Sequence, residues 1–220
     1  YGWVVVAVAF VTMGIGVNAR TAFSLLYPPV LAEFGWSRGA TAATFSVGFF
    51  ASAVMSPFIG MAMDRFGPRL VFPVGGLMVA GGFMAATLTT QPWHLFATLG
   101  LFVVGGSVLI AFVGHSAFLP NWFVRRRGLA IGIAFSGIGV FSLIAMPWVQ
   151  HVIEVDGWRT ACWLLAAVVL VVVLPLNLIF QRRRPEDLGL RPDGDAASVA
   201  TAGGQLNSNV VDPAWVAVEW

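Results

Sequence analysis

The sequence predicts an all-α integral membrane protein built as a six-helix transmembrane bundle, and three observations predict it. Of the 220 residues, 58% are hydrophobic and only 10% charged, whereas a soluble domain carries about 25% charged residues. Six segments, approximately 3–27, 37–62, 69–90, 93–120, 128–150 and 158–181, are long and apolar enough to cross about 30 Å of hydrocarbon at about 1.5 Å per residue. The basic residues, all of them Arg, alternate between the two sides of the short connections. Arg65, Arg69, Arg125, Arg126, Arg127, Arg182, Arg183, Arg184 and Arg191 fall on one side, Arg38 and Arg159 on the other. That asymmetry directs the first side, and both chain ends, to the cytoplasmic face of the cell membrane.

The first segment opens on Trp3, an interface anchor, and is expected to end at Pro28-Pro29. It carries Arg20, the one charge well inside any of the six segments, and an ionisable residue there is a functional candidate by default. Counted from Trp3, Arg20 lies about 25 Å along the segment, near the far edge of the hydrocarbon. Two readings stand. The side chain snorkels to the far headgroups, or it faces a water-filled cavity where its guanidinium attracts and orients an anion. Gly16, Phe23, Ser24 and Tyr27 share its face, while Asn18 points the other way. Glu33, Trp36 and Ser37 follow, Trp36 as an anchor and Ser37 as the N-cap of the second segment.

Along the second segment small or hydroxyl residues recur every fourth position: Thr44, Gly48, Ser52, Ser56 and Gly60, then Asp64. This is a ridge on which another helix backbone can approach closely, and it ends on a carboxylate. In the turn that follows, Gly67 can take positive φ and Pro68 stops the incoming helix. The third segment holds Gly75-Gly76 and Gly81-Gly82, read as packing notches. The fourth begins after Pro92-Trp93 and carries His115, a candidate proton relay or substrate contact, or else a histidine satisfied inside the bundle. The fifth repeats the small-residue device at Gly128, Gly132 and Ser136, with Pro147 near its far end as a kink. The sixth is aliphatic from Leu164 to Leu174 and is expected to face lipid. Cys162 is a packing residue. Residues 1–190 are therefore expected to form the bundle, and 191–220, rich in Ala, Gly, Ser, Thr and Asn, a cytoplasmic linker toward a second bundle not present in this chain.

The run Gly60-x-x-x-Asp64-Arg65-x-Gly67-x-Arg69 resembles the signature of the major facilitator superfamily of transporters, in the loop after the second transmembrane helix. Gly2-Trp3, Asn121-Trp122-Phe123 with Arg126-Arg127-Gly128-Leu129-Ala130, and Gly157-Trp158-Arg159 are similar to the monocarboxylate and oxalate/formate branch, in bacterial form. The resemblance spans about residues 2–192. It implies the N-terminal half of a twelve-helix, two-bundle transporter that works by alternating access on small organic anions. It also implies that Gly60, Asp64, Arg65, Gly67 and Arg69 latch the two bundles together in one conformation. The basic residue of the first helix is offset by one position from that of the eukaryotic members, and the fourth segment lacks the embedded Arg of many proton-coupled members.

The expected function is secondary active transport of mono- or dicarboxylates by antiport or symport. Arg20, Tyr27 and His115 are the candidate substrate contacts, and the second and fifth helices the sliding faces. The alternative is a transport-inactive sensor or scaffold on the same bundle. No Asp or Glu lies deep in the six segments, so a carboxylate proton relay is not expected in them. An enzyme is not expected, since no Ser/His/Asp grouping and no His-Glu-x-x-His spacing occurs. Neither a cofactor nor a metal site is implied, and the basic clusters flank membrane helices rather than forming a nucleic-acid patch.

Overall fold

Hydrocarbon offers the backbone no water, so each apolar run must satisfy its own peptide groups as a helix. The computed structural model describes residues 1–123, 125–182, 185 and 189, and it has five helical stretches long and apolar enough to span a membrane. They are α1 (Gly2–Phe34), α2 (Arg38–Phe66), α3 (Pro68–Ala86), α4 (Pro92–Asn121) and the stretch Arg127–Phe180. At 54 residues, the last would be about 80 Å long if straight, more than twice the hydrocarbon thickness. It is broken at Gly157, whose φ of 86° and ψ of 164° lie outside the helical region, into α5 (127–156) and α6 (158–180). Side-chain contacts fix the reversal. Trp3 packs edge-on against Phe123 just before α5, and Trp158 and Arg159 reach Glu33 at the opposite end of α1. Tyr1 then donates its hydroxyl to the Phe180 carbonyl at the end of α6.

Two boundaries differ from expectation. α1 does not stop at Pro28-Pro29 but continues to Phe34, closed by Gly35 in the left-handed region (φ 62°). Proline keeps a helical φ, so its missing N–H bond and the crowding of its ring on the carbonyl four residues back can kink a helix without ending it. Ser24 and Pro28 are exposed, so the carbonyls freed on that side can be solvated. Likewise α5 runs past residue 150 to the Gly157 break, because Pro147 sits inside the helix without ending it. Arg183, Arg184, Arg191 and the expected linker 191–220 lie outside the described residues.

The helices approach most closely through glycine, as lipid-embedded contacts must. A Cβ at Gly14 of α1 would fall 2.5 Å from the Phe141 ring and 3.0 Å from the Gly137 carbonyl, and one at Gly137 of α5 would fall 2.3 Å from the Phe10 carbonyl oxygen. Gly75, Gly76 and Gly82 of α3 are similarly filled by Leu109, Leu174 and Phe102, whereas Gly81 is open. Buried polar groups tie the same helices. Asn177 of α6 donates to Thr12 Oγ1 of α1 (2.9 Å), and Asn18 donates to the Ile138 carbonyl of α5 (3.1 Å). α6 is thus not a featureless lipid-facing helix: Cys162, Val169, Val173 and Asn177 are buried, while Val171 is 72% exposed.

At the Arg-rich end, the carbonyls that close α6 have no partners within the helix. Other helices supply them: Arg69 Nε donates to Leu178, Tyr1 to Phe180 and Trp122 Nε1 to Arg182. At the far end, Arg159 makes a fork-on-fork pair with Glu33, both bonds 2.7 Å, and Trp158 Nε1 donates to the same carboxylate. These contacts tie both ends of α6 to neighbouring helices.

Candidate functional site

Helix rise places Arg20. It stands nineteen residues after Tyr1, about 28 Å from the Arg-rich end, and thirteen before Glu33, about 20 Å short of the Arg159 pair. With α1 extended to Phe34, Arg20 lies within about 5 Å of the helix midpoint.

The lateral surroundings of Arg20 are as informative as its depth. It is half-buried, with Thr21 and Ser24 exposed beside it, while Gly16 and Val17 one turn earlier are buried. Its guanidinium carbon lies 5.2 Å from the centre of the Phe49 ring of α2. Among the described residues it makes no hydrogen bond and no ion pair. Thr21 and Ser24 direct their hydroxyls to the carbonyls of Val17 and Thr21, as Ser and Thr commonly do in lipid. Asn18, on the opposite side, is buried against α5, in keeping with its angular separation from Arg20.

The other two candidate contacts are not brought to Arg20. Tyr27 donates its hydroxyl to the Arg38 carbonyl (2.9 Å) and lines an opening at the far end with Pro28, Leu31 and Trp36. It lies about 10 Å along α1 from Arg20. His115 is wholly buried. Its ring stacks on Phe72 of α3 at 4.4 Å and its Nδ1 lies 2.9 Å from the Ala111 carbonyl, so Nδ1 carries the proton in that bond. Ala111, at φ −104° and ψ −135°, interrupts α4, and its carbonyl also accepts the His115 backbone N–H at 3.4 Å. Its Nε2 is buried with no hydrogen-bond partner among the described residues.

The charged turn divides into two parts. Gly67 has φ 74° and Pro68 opens α3, so this pair makes the corner, while Arg69 holds the end of α6. Gly60, by contrast, has open space where a Cβ would stand. Asp64 and Arg65 are exposed; Arg65 lies over the Phe66 ring, and Asp64 has no partner among the described residues. The ridge of α2 divides in the same way. Its Thr44, Gly48 and Ser52 are buried against α4, Gly48 beneath Val104 and the Gly100 carbonyl, and Ser52 bonded toward the Val104 carbonyl. On α5, Gly128, Gly132 and Gly139 all face open space.

Contacts that sequence reasoning missed are Phe49 beside Arg20 and the Thr12–Asn177 bond. Asn177 did carry a signal, as a lone amide inside an apolar run. Phe49 carried none, since nothing in one sequence pairs it with Arg20.

Comparison with known proteins places this geometry. A sequence profile of the Major Facilitator Superfamily matches residues 3–218. Human monocarboxylate transporter 11 is 33% identical over 184 residues, covering 81% of this chain and 39% of the relative. Bovine monocarboxylate transporter 13 is 30% identical over 173 residues (79% and 40%), and mouse monocarboxylate transporter 9 is 30% identical over 179 residues (81% and 34%). The chain thus spans two fifths or less of the length of these relatives.

Proposed function

Because the chain belongs to the major facilitator superfamily, we propose that it supplies the first bundle of a secondary active transporter that moves small organic anions, mono- or dicarboxylates, by alternating access. The observation that carries this reading is Arg20: a half-buried guanidinium within about 5 Å of the midpoint of the first apolar helix, with its N–H groups unpaired among the described residues. Leaving such a group without an anion in hydrocarbon is costly, and a carboxylate is the partner whose geometry its planar fork matches. The names of these three relatives, each a monocarboxylate transporter, agree with that chemistry.

In this reading a second bundle meets the open faces of α2 and α5, and the substrate lies between the bundles beside Arg20. Rocking exposes the site first to one side of the membrane and then to the other. Gly60, Gly128, Gly132 and Gly139 let the counterpart approach closely. The Arg-rich end, with both chain ends, faces the cytoplasm of a cell membrane. There Asp64 and Arg65 contact the second bundle in one conformation only, while Gly67 and Arg69 hold the turn in shape. The test is uptake of radiolabelled mono- and dicarboxylates into liposomes by the full-length protein. Saturable uptake supports the proposal; binding without uptake points to a sensor, and neither binding nor uptake overturns it.

Asp64 offers a sharper check. A carboxylate in the last turn of a helix opposes the helix dipole, at a cost of about 0.3–1 kcal/mol, so its presence there calls for another use. Asp64→Asn in the full-length protein is expected to leave carboxylate affinity and thermal stability unchanged or slightly improved while lowering transport about tenfold. Full transport by the variant would remove the latch from the mechanism.

A further inference from the structure

We infer that the anion held at Arg20 is a monocarboxylate with an aromatic body, so that the site prefers aryl and arylalkyl carboxylates to aliphatic ones of the same size. This rests on the reading of Arg20 as the carboxylate contact. A guanidinium set against a ring face keeps its in-plane N–H groups for a carboxylate. A carboxylate on those groups carries its organic body alongside the same ring. That ring is Phe49, 52% exposed, and it is held in place: Phe45 stacks on it at 6.2 Å and 22°, and the buried Phe23 meets Phe45 edge-on at 4.2 Å and 82°. Toward the Arg-rich end, the exposed Phe112 of α4 stands edge-to-face against Phe135 of α5 at 5.2 Å. Rings fixed by other rings present faces and edges to a ligand at little ordering cost.

The polar groups point the same way. A second carboxylate on the ligand needs its own donors, yet the hydroxyls of Thr21 and Ser24 already donate to backbone carbonyls. Among the described residues no second Arg stands within the hydrocarbon span beside Arg20. The site as built serves one charge and an apolar, ring-shaped remainder.

The experiment measures binding of phenylacetate, cyclohexylacetate, acetate and succinate to the full-length protein in lipid nanodiscs by calorimetry. Phenylacetate and cyclohexylacetate are alike in size, so their ratio isolates the ring. Phenylacetate is expected to bind about 2- to 10-fold more tightly than cyclohexylacetate, and acetate and succinate more weakly than both. Phe49→Leu should bring the phenyl-to-cyclohexyl ratio to about one, and Phe49→Trp should preserve it. A ratio of one in the unmodified protein, a ratio that Phe49→Leu does not move, or tighter binding of succinate overturns the aromatic preference and leaves the anion site standing. If none of the four binds, or if Arg20→Ala binds all four normally, the anion site itself has failed.

Discussion

Arg20→Ala in the full-length protein is expected to weaken carboxylate binding about 100- to 1,000-fold, the equivalent of about 3–4 kcal/mol for removing one side of a desolvated, hydrogen-bonded ion pair. Uptake should fall in proportion. Stability should move in the opposite direction or not at all, because the guanidinium makes no hydrogen bond or ion pair among the described residues and only a ring contact with Phe49, and burying a charge in hydrocarbon is unfavourable. The combination discriminates among roles. A side chain that only pinned α1 to α2 would lose thermal stability on truncation and leave affinity intact, and one that snorkelled to headgroups would alter neither. Arg20→Lys tests the fork: it keeps the charge but gives up the paired N–H geometry, so it should recover part of the affinity and stop about tenfold short. Calorimetric binding together with melting temperature in the same nanodiscs decides the matter, and unchanged affinity in Arg20→Ala would remove the residue from the site.

The helical architecture was largely legible because bilayer chemistry is coarse: long apolar runs, Arg at their ends and glycine where the chain turns. Gly67 and Gly157 mark corners in the sequence and both have positive φ. What one chain could not reveal was partnership. Pro28-Pro29 looked like a stop, yet whether a proline ends a helix depends on where the freed carbonyls point, which is a property of the assembled bundle. The seven residues that the helix gains beyond Tyr27 move Arg20 from the last third of α1 toward its midpoint. His115 shows the same limit, since one chain could not reveal that its ring stacks on Phe72 and bonds the Ala111 carbonyl through Nδ1 while Nε2 has no partner among the described residues. The signature turn was found as a unit although its residues act separately, Arg69 inward on α6 and Asp64 outward. Spacing fixes which residues are neighbours, not which way each of them faces.

The small residues of α5 provide the second large effect, because identical chemistry is there put to two uses a few positions apart. Gly137→Val is expected to lower the melting temperature by about 5–15 °C. A Cβ at that position would lie 2.3 Å from the Phe10 carbonyl oxygen and 2.9 Å from its carbon. Those are backbone atoms of α1, which cannot turn aside as a side chain can. The two helices must separate along the contact that Gly14 and Asn18 also use, at about 2–4 kcal/mol for an overpacked core, a large part of the about 5–15 kcal/mol that holds a typical domain folded. Gly132→Val, five residues earlier, meets nothing within 4 Å and should leave the melting temperature within about 2 °C. Its expected cost appears in transport, which should drop severalfold as the added methyls hold the second bundle away from the open face of α5. Thermal unfolding followed by size-exclusion fluorescence, paired with uptake, separates the two. If Gly132→Val melts early while transporting normally, or Gly137→Val is as stable as the parent, then the glycine rows do not divide between holding this bundle together and meeting its counterpart.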